Sequence, residues 1–275
     1  MAEIRRDTVN PVHLLRGIWR SRDLILQMTK REVVGRYRGS ILGMLWSFFN
    51  PVLMLTIYTF VFSVIFKARW GTGGDSKFEF ALILFAGLIV FNIFAECVNR
   101  APSLIVGNVN YVKKVVFPLE VLPLVTMGAA LFHGLISLIV LIVFYLLLSA
   151  TLHWTIIFAP LVILPLLFLV LGLSWFLASF GVFVRDTAQA IGMLTTVLMF
   201  LSPIFFPVSA LPDKYQAFIY MNPLTFVIEQ MRNVLLWGKL PWWPGWSLSM
   251  LLGVVVTWGG LFWFQKTRKG FADVL

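Results

Sequence analysis

Residues 121–148 read VLPLVTMGAALFHGLISLIVLIVFYLLL, and this stretch decides the class of protein. It contains no Asp, Glu, Lys or Arg and a single histidine, His133. A helix needs about 20 apolar residues to cross the hydrocarbon core of a bilayer, so this stretch is long enough to do so. The whole chain has the same character, since 60% of its 275 residues are hydrophobic and 12% are charged. An ordinary soluble domain has about 25% charged residues, so the composition excludes a soluble globular enzyme and indicates an integral membrane protein.

Further apolar stretches flank this segment on both sides, and each is a candidate span, although residues 80–95 form a shorter stretch than the others. They are residues 41–66, 80–95, 155–184, 187–212 and 240–265. Another stretch, residues 215–228, is shorter and contains Asn222-Pro223, so we interpret it as re-entrant or interfacial. The sequence therefore predicts an all-α integral membrane fold with six transmembrane helices and short re-entrant helices between spans five and six.

The charges predict how this protein is oriented in the membrane. Six spans place both termini on one side, and 16 of the 22 Lys and Arg residues lie on that side. The positive-inside rule then puts residues 1–40 and the tail 266–275 in the cytoplasm, with residues 41–265 as the transmembrane domain. Orientation also accounts for the net charge of +10, so the sequence does not call for a nucleic-acid partner.

The N-terminal region contains a candidate interfacial helix before the first span. Its apolar side would carry Leu26, Val33 and Tyr37, and its basic edges Lys30, Arg31, Arg36 and Arg38. Basic edges beside an apolar face are typical of a helix that lies on an anionic membrane surface. The alternative is a plain cytoplasmic anchor for the first span.

Several kinds of chemistry lack the residues they need. The chain has no G-x-x-x-x-G-K-[ST] loop, no H-E-x-x-H motif and only one cysteine, and no pair of carboxylates falls within a span. His133 is the one ionisable candidate near the middle of a span, as a relay, a substrate contact or an interhelical hydrogen bond. A channel, an integral-membrane enzyme and the membrane half of a machine energised elsewhere all remain open.

A set of motifs, taken in order, carries a resemblance to a known family. They are KREVVGRYRGSILGMLW at 30–46, Asn50-Pro51, NYVKKVVFPLE at 110–120, Arg185-Asp186, SPIFF at 202–206, Asn222-Pro223 and FADVL at 271–275. The chain resembles the ABC-2 type permeases that export O-antigen, capsule and teichoic acid polysaccharides. The likeness covers nearly the whole chain and is specific for the family rather than for one polymer.

The resemblance implies a division of labour with a second protein. Such a permease is a homodimer that works with two ATPase subunits. The ATPase subunits bind the ATP and Mg. This chain would therefore be no enzyme and would hold no cofactor or metal. The loop of about 96–118 would carry the helix that docks on the ATPase, with Asn108, Asn110, Lys113 and Lys114 as polar contacts. The alternative for the two lysines is membrane anchoring. The N-terminal segment would be the interface helix, with Arg31, Arg36, Tyr37 and Arg38.

The resemblance also implies a route and a substrate. A polysaccharide on a polyprenyl lipid would pass from cytoplasm to periplasm across the bacterial inner membrane, between spans one and five of the two copies. Candidate lining residues are Tyr58, Phe62, Phe205 and Phe206, unless they only pack in the core or face lipid. Residues of about 207–241 would form the outer gate, with a helix break at Asn222 and Pro223. O-antigen is the main interpretation of the substrate, and capsule or teichoic acid polysaccharide is the alternative. A membrane transferase and an ion-coupled carrier are more distant alternatives. The carrier would depend on His133.

Overall fold

The computed structural model describes residues 17, 19–66, 70, 78–113, 117–149 and 151–275, and the regular structure in these residues is helical. The helices are α1 Arg22–Arg36, α2 Trp46–Tyr58, α3 Glu79–Arg100, α4 Val109–Lys113, α5 Val121–Ser149, α6 Ala159–Phe183, α7 Thr187–Leu201, α8 Asp213–Met221, α9 Pro223–Leu235, α10 Trp243–Thr267 and α11 Phe271–Val274. A π-helix, Thr59–Ile65, continues α2. Short 3₁₀ turns join several of the others.

Five helical segments are long and apolar enough to cross a membrane. They are Gly43–Ile65, Glu79–Ser103, Val121–Ser149, Trp154–Phe183 and Trp243–Val274. This confirms the predicted all-α membrane class and five of the predicted spans. The second segment runs past the predicted end at residue 95, because Glu96 and Arg100 form ion pairs that let their charges stay on the helix.

The fifth predicted span, residues 187–212, is shorter in the structure than in the prediction. Its helix, α7, has 15 residues and ends at Leu201. At 1.5 Å per residue that is about 22 Å, less than the roughly 30 Å of a hydrocarbon core. The helix stops because Ser202 is extended and Pro203 has no N–H to continue it. Six complete spans therefore remain a prediction.

Helix α3 lies at the centre of the fold. Every residue from Phe80 to Phe91 is buried, and the helix packs against α5, α6, α7 and α9. A helix that is apolar on all sides is expected in the interior rather than at a surface. The second span is thus the central helix against which α5, α6, α7 and α9 pack.

Helices α6 and α10 approach each other closely through glycines. A Cβ added to Gly260 would lie 2.0 Å from the carbonyl oxygen of Gly172, and one on Gly172 would lie 2.3 Å from that of Val256. Small residues at such contacts let two membrane helices pack backbone to backbone. The fourth and last spans therefore form a closely packed pair, of which α6 contacts α3.

Candidate functional site

Helix α1 is held to the second span by crossed ion pairs, which we call the clamp: Glu32, Arg36, Glu96 and Arg100. Arg36 pairs with Glu96, and Arg100 pairs with Glu32. Arg100 also lies 3.8 Å from Glu96. Two opposite pairings across one interface fix both the position and the direction of α1. Arg36, which is predicted to lie on a basic edge of the interface helix, thus has a carboxylate partner within the chain, and its role at an interface stays a prediction.

His133 of α5 meets the end of α1. Its Nε2 lies 3.2 Å from the Tyr37 hydroxyl and 3.3 Å from Nη1 of Arg36. Burial raises the pKa of the Tyr37 phenol, so this hydroxyl stays protonated at neutral pH and can donate to the imidazole. This geometry supports the interhelical hydrogen bond among the roles considered for His133.

Only part of the predicted apolar side of α1 is covered. Val33 is buried and Tyr37 is half-buried, whereas Leu26 is 67% exposed. Arg31 and Arg38 are exposed. The amphipathic character of this helix therefore remains a prediction.

The clamp can be tested by charge reversal. We expect Glu32→Arg to lower the free energy of unfolding by about 1 kcal/mol, because it replaces a half-exposed attraction by a repulsion. Adding Arg100→Glu restores an attraction between residues 32 and 100 and should recover part of the lost free energy of unfolding. The recovery should be incomplete, because the new glutamate at residue 100 repels Glu96. Chemical denaturation of the two variants in detergent measures both steps. A double variant no more stable than Glu32→Arg would contradict the pairing.

The predicted coupling loop is folded into short helices on the same side as α1. Asn110 and Lys113 are exposed on α4 and free to meet another protein. Asn108 is half-exposed, and its amide donates to the Leu104 carbonyl at 2.8 Å, which stabilises the loop itself. Lys114 lies outside the described residues.

The coupling loop is tied to both ends of the chain through Tyr111. Nη2 of Arg31 donates to the Tyr111 hydroxyl at 3.1 Å, and the ring of Tyr111 stacks on Phe117 with centroids 4.5 Å apart. Arg268 of the tail donates to the Phe117 carbonyl at 3.1 Å and pairs with Glu120 at 2.9 Å. The sequence reasoning missed Tyr111, Phe117 and Arg268, because their partners lie far away in the chain. Together, α1, the loop and the tail form one cytoplasmic block in the predicted orientation.

The predicted outer gate consists of α8 and α9, with the chain breaking between them at Asn222. Its side chain accepts from the Leu224 N–H at 3.0 Å, and its amide donates to the Ser202 hydroxyl at 2.9 Å. Pro223 occupies the first turn of α9, where a backbone N–H would have no intrahelical acceptor, so its missing N–H costs no hydrogen bond. Asn222 therefore joins the start of α9 to the end of α7. The role of this region as a gate remains a prediction.

Arg232 of α9 is the most consequential residue that the sequence reasoning missed. It is 1% exposed, and it donates to the carbonyls of Ile83 at 2.9 Å, Pro203 at 2.6 Å and Ile204 at 3.1 Å. Its guanidinium also lies 4.5 Å from the centroid of the Trp70 ring. One buried cation thereby links α9 to α3 and to the break after α7. Its sequence neighbours include Gln230 and Asn233, so no local pattern signalled this role.

The candidate lining residues separate into two groups. Phe62 and Phe205 meet with centroids 6.4 Å apart, and Phe205 stacks on Phe200 at 5.7 Å. These three rings form what we call the aromatic row between span one and the end of α7. Tyr58 and Phe206 are half-buried and form no ring pair with the row among the described residues.

Within the part of the chain described, no group of three or more His, Cys, Asp and Glu could hold a metal ion.

Comparison with known proteins identifies the family. The model of the ABC-2 type transporter family matches residues 23–236. The chain therefore belongs to the ABC-2 type transporter family, as its motifs predicted.

Relatives of known name extend the likeness over almost the full length. The chain is 27% identical over 264 residues to the O-antigen export system permease protein RfbA of Myxococcus xanthus, covering 95% of this chain and 99% of that protein. It is 27% identical over 255 residues to a protein of the same name from Klebsiella pneumoniae, covering 92% and 95%. The polysialic acid transport protein KpsM of Escherichia coli is 26% identical over 237 residues, covering 80% and 83%.

Proposed function

We propose that this chain is the membrane subunit of an ATP-driven exporter that moves a polyprenyl-linked O-antigen polysaccharide from the cytoplasm to the periplasm. The observation that carries the proposal is the match to an O-antigen export permease over 95% of this chain and 99% of the relative. A capsular polysaccharide is the second candidate, because the polysialic acid transport protein is also similar over 80% of the chain.

The power for export comes from a separate ATPase. The sequence contains no phosphate-binding loop of its own. Lys113 and Asn110 present an exposed polar surface on α4. A partner that pushes on α4 would move Tyr111, and with it Arg31 of α1. The clamp would then pass the movement of α1 on to the second span.

Two copies of the chain enclose the path of the polymer. Span one and α7 leave many large apolar side chains exposed, among them Phe60, Val64 and Phe200. These surfaces suit contact with a second copy as well as with lipid. The aromatic row lies between the two helices, where flat rings can hold the apolar faces of successive sugars weakly. In this arrangement α7 and the residues after it form the sixth crossing, and both termini are cytoplasmic in the bacterial inner membrane.

The experiment that tests this function is deletion and complementation in the bacterium itself. Without the chain, the polysaccharide should disappear from the cell surface and accumulate inside on its lipid carrier. Antiserum against O-antigen or capsule identifies which polymer is lost. Normal display of both polymers in the deletion strain would overturn the proposal.

The same strain decides the ion-coupled alternative. We expect His133→Gln to lower the free energy of unfolding by about 1 kcal/mol, the value of a hydrogen bond, and to leave the rate of export close to that of the original chain. Export is followed by surface labelling with and without a protonophore under constant ATP. Loss of export in this variant at normal protein levels would support proton coupling through His133.

A further inference from the structure

A polar cavity of about 520 Å³ lies between α1, the start of span one, α3 and α5. Its volume is within the range of small-molecule binding sites. It lies inside the transmembrane part of the chain, beside the clamp, and is distinct from the aromatic row. Many of the residues that line the cavity are polar, although apolar side chains would be less costly in membrane helices.

One wall of the cavity is a polar stripe on α3. Asn92, Glu96 and Asn99 follow one another at intervals of four and three residues, so they share one face of the helix. Asn92 and Asn99 are exposed, although the residues next to them on α3 are largely buried. Polar side chains in a membrane span are costly and normally face a water-filled path or a bound group.

The opposite wall provides further hydrogen-bonding groups from span one. Asn50 lies there with Ser47 and Pro51. The Ser47 and Ser137 hydroxyls also face the cavity, but they already donate to the Met44 and His133 carbonyls, at 2.7 and 3.0 Å. Proline lacks the N–H that would bond to the carbonyl four residues earlier, so the Ser47 carbonyl is left without its helical partner. The amides and this carbonyl offer both donors and acceptors, which suits a ligand whose groups can do both, such as a sugar hydroxyl.

The clamp beside the cavity has two positive and two negative charges, which disfavours the binding of an anion. Arg36 and Arg100 line it, but each is already paired with a carboxylate of the clamp. Glu96 lines the cavity as well and would repel a phosphate placed beside the two arginines. The polar surface that remains is therefore that of a site for an uncharged ligand.

We propose that this cavity binds uncharged sugar units of the transported chain, beside the cytoplasmic entrance of the path. The inference rests on the proposed function and adds a saccharide site that lies within one protomer. Asn50, Asn92 and the side-chain N–H groups of Asn99 supply most of its hydrogen bonds, and the clamp closes one side of it. The Asn99 oxygen already accepts from the Thr195 hydroxyl at 2.8 Å.

Protection of a single thiol tests this inference. Ser137→Cys places a small reporter in the cavity, and the variant is first checked for normal export. The full-length protein is purified with its ATPase and labelled with a maleimide in the presence of lipid-free polysaccharide released from the same strain. At a polysaccharide concentration ten times its Kd, labelling should slow by about tenfold. The original chain gives the background, since its Cys97 is 1% exposed.

The controls distinguish the possible ligands. Ser103→Cys lies on an exposed turn outside the cavity, so its labelling should not change. Inorganic pyrophosphate should give no protection to Ser137→Cys. Protection by pyrophosphate alone, or by neither probe, would overturn the inference. The proposed function is tested separately by deletion of the chain. If deletion removes the polymer from the cell surface, the proposed function stands even when the thiol shows no protection by polysaccharide.

A second variant ties protection to the polar stripe. Asn92→Leu in the Ser137→Cys background keeps the branched shape and the number of side-chain heavy atoms but removes the amide. We expect it to abolish protection by polysaccharide while the protein still reaches the membrane and co-purifies with its ATPase. Full protection in this variant would show that Asn92 is not part of the site.

Discussion

Arg232→Met should destabilise the protein by about 3 kcal/mol and abolish export. The substitution removes three charge-assisted hydrogen bonds, each worth about 1.5–3 kcal/mol, but it also removes the cost of burying a cation. The carbonyls of Pro203 and Ile204 lie outside regular helix and would be left buried without this donor. A shift of the unfolding midpoint in detergent measures the loss of stability, and surface labelling of the polysaccharide measures export.

A neighbouring glycine provides an independent check on Arg232. A Cβ on Gly87 would lie 2.7 Å from Nη2 of Arg232, so Gly87→Ala should displace the guanidinium and reproduce part of the defect. The matched control is Arg185→Met, which removes an exposed arginine from the loop after α6 and should change neither quantity. Equal stability of Arg232→Met and Arg185→Met would contradict the structural role of Arg232.

Lys113→Glu should separate ATP hydrolysis from export. Reversing a charge at a docking surface costs several kcal/mol, so we expect export to fall at least about tenfold. The fold should be unaffected, because Lys113 is exposed at the end of α4. Co-purification of the ATPase and its turnover in reconstituted vesicles show whether contact or coupling has been lost.

The matched control for that variant is Lys269→Glu, which makes the same charge change on an exposed residue of the tail. Each variant removes one positive charge from the predicted cytoplasmic side and adds one negative charge. If Lys113 only anchors the chain in the membrane, both variants should therefore change export equally. ATPase docking through α4 predicts a defect only at residue 113. Normal export by Lys113→Glu would leave anchoring as the role of this lysine.

The sequence predicts the elements of this fold better than the contacts between them. Apolar length alone identified residues 121–148 as a span, because a bilayer demands that length of any single crossing helix. It overestimated 187–212, since hydropathy continues through Ser202-Pro203 while helical geometry does not. The break at Asn222-Pro223 was predicted because it is a local property of the two residues.

The contacts that make up the candidate site depend on distant pairings. Glu96 and Arg100 looked like charges at the end of a span, and only the position of α1 turns them into the clamp. Arg232 and Ile83 are separated by 149 residues in sequence. A hydropathy pattern contains no information on such pairs, so it gives the helices without the hydrogen bonds between them.

The π-helix at Thr59–Ile65 gives span one a way to turn at one end while its start at Gly43 stays in place. It contains Phe62 of the aromatic row and also Ser63, whose hydroxyl is the one buried side-chain polar atom without a hydrogen-bond partner among the described residues. Returning this segment to α-helical bonding would shift its register by one residue, about 100° of rotation and 1.5 Å of rise. Phe62 would swing away from Phe205 while Gly43, at the other end of the span, stayed in place. Such a change would move Phe62 by twisting the first span rather than by tilting it.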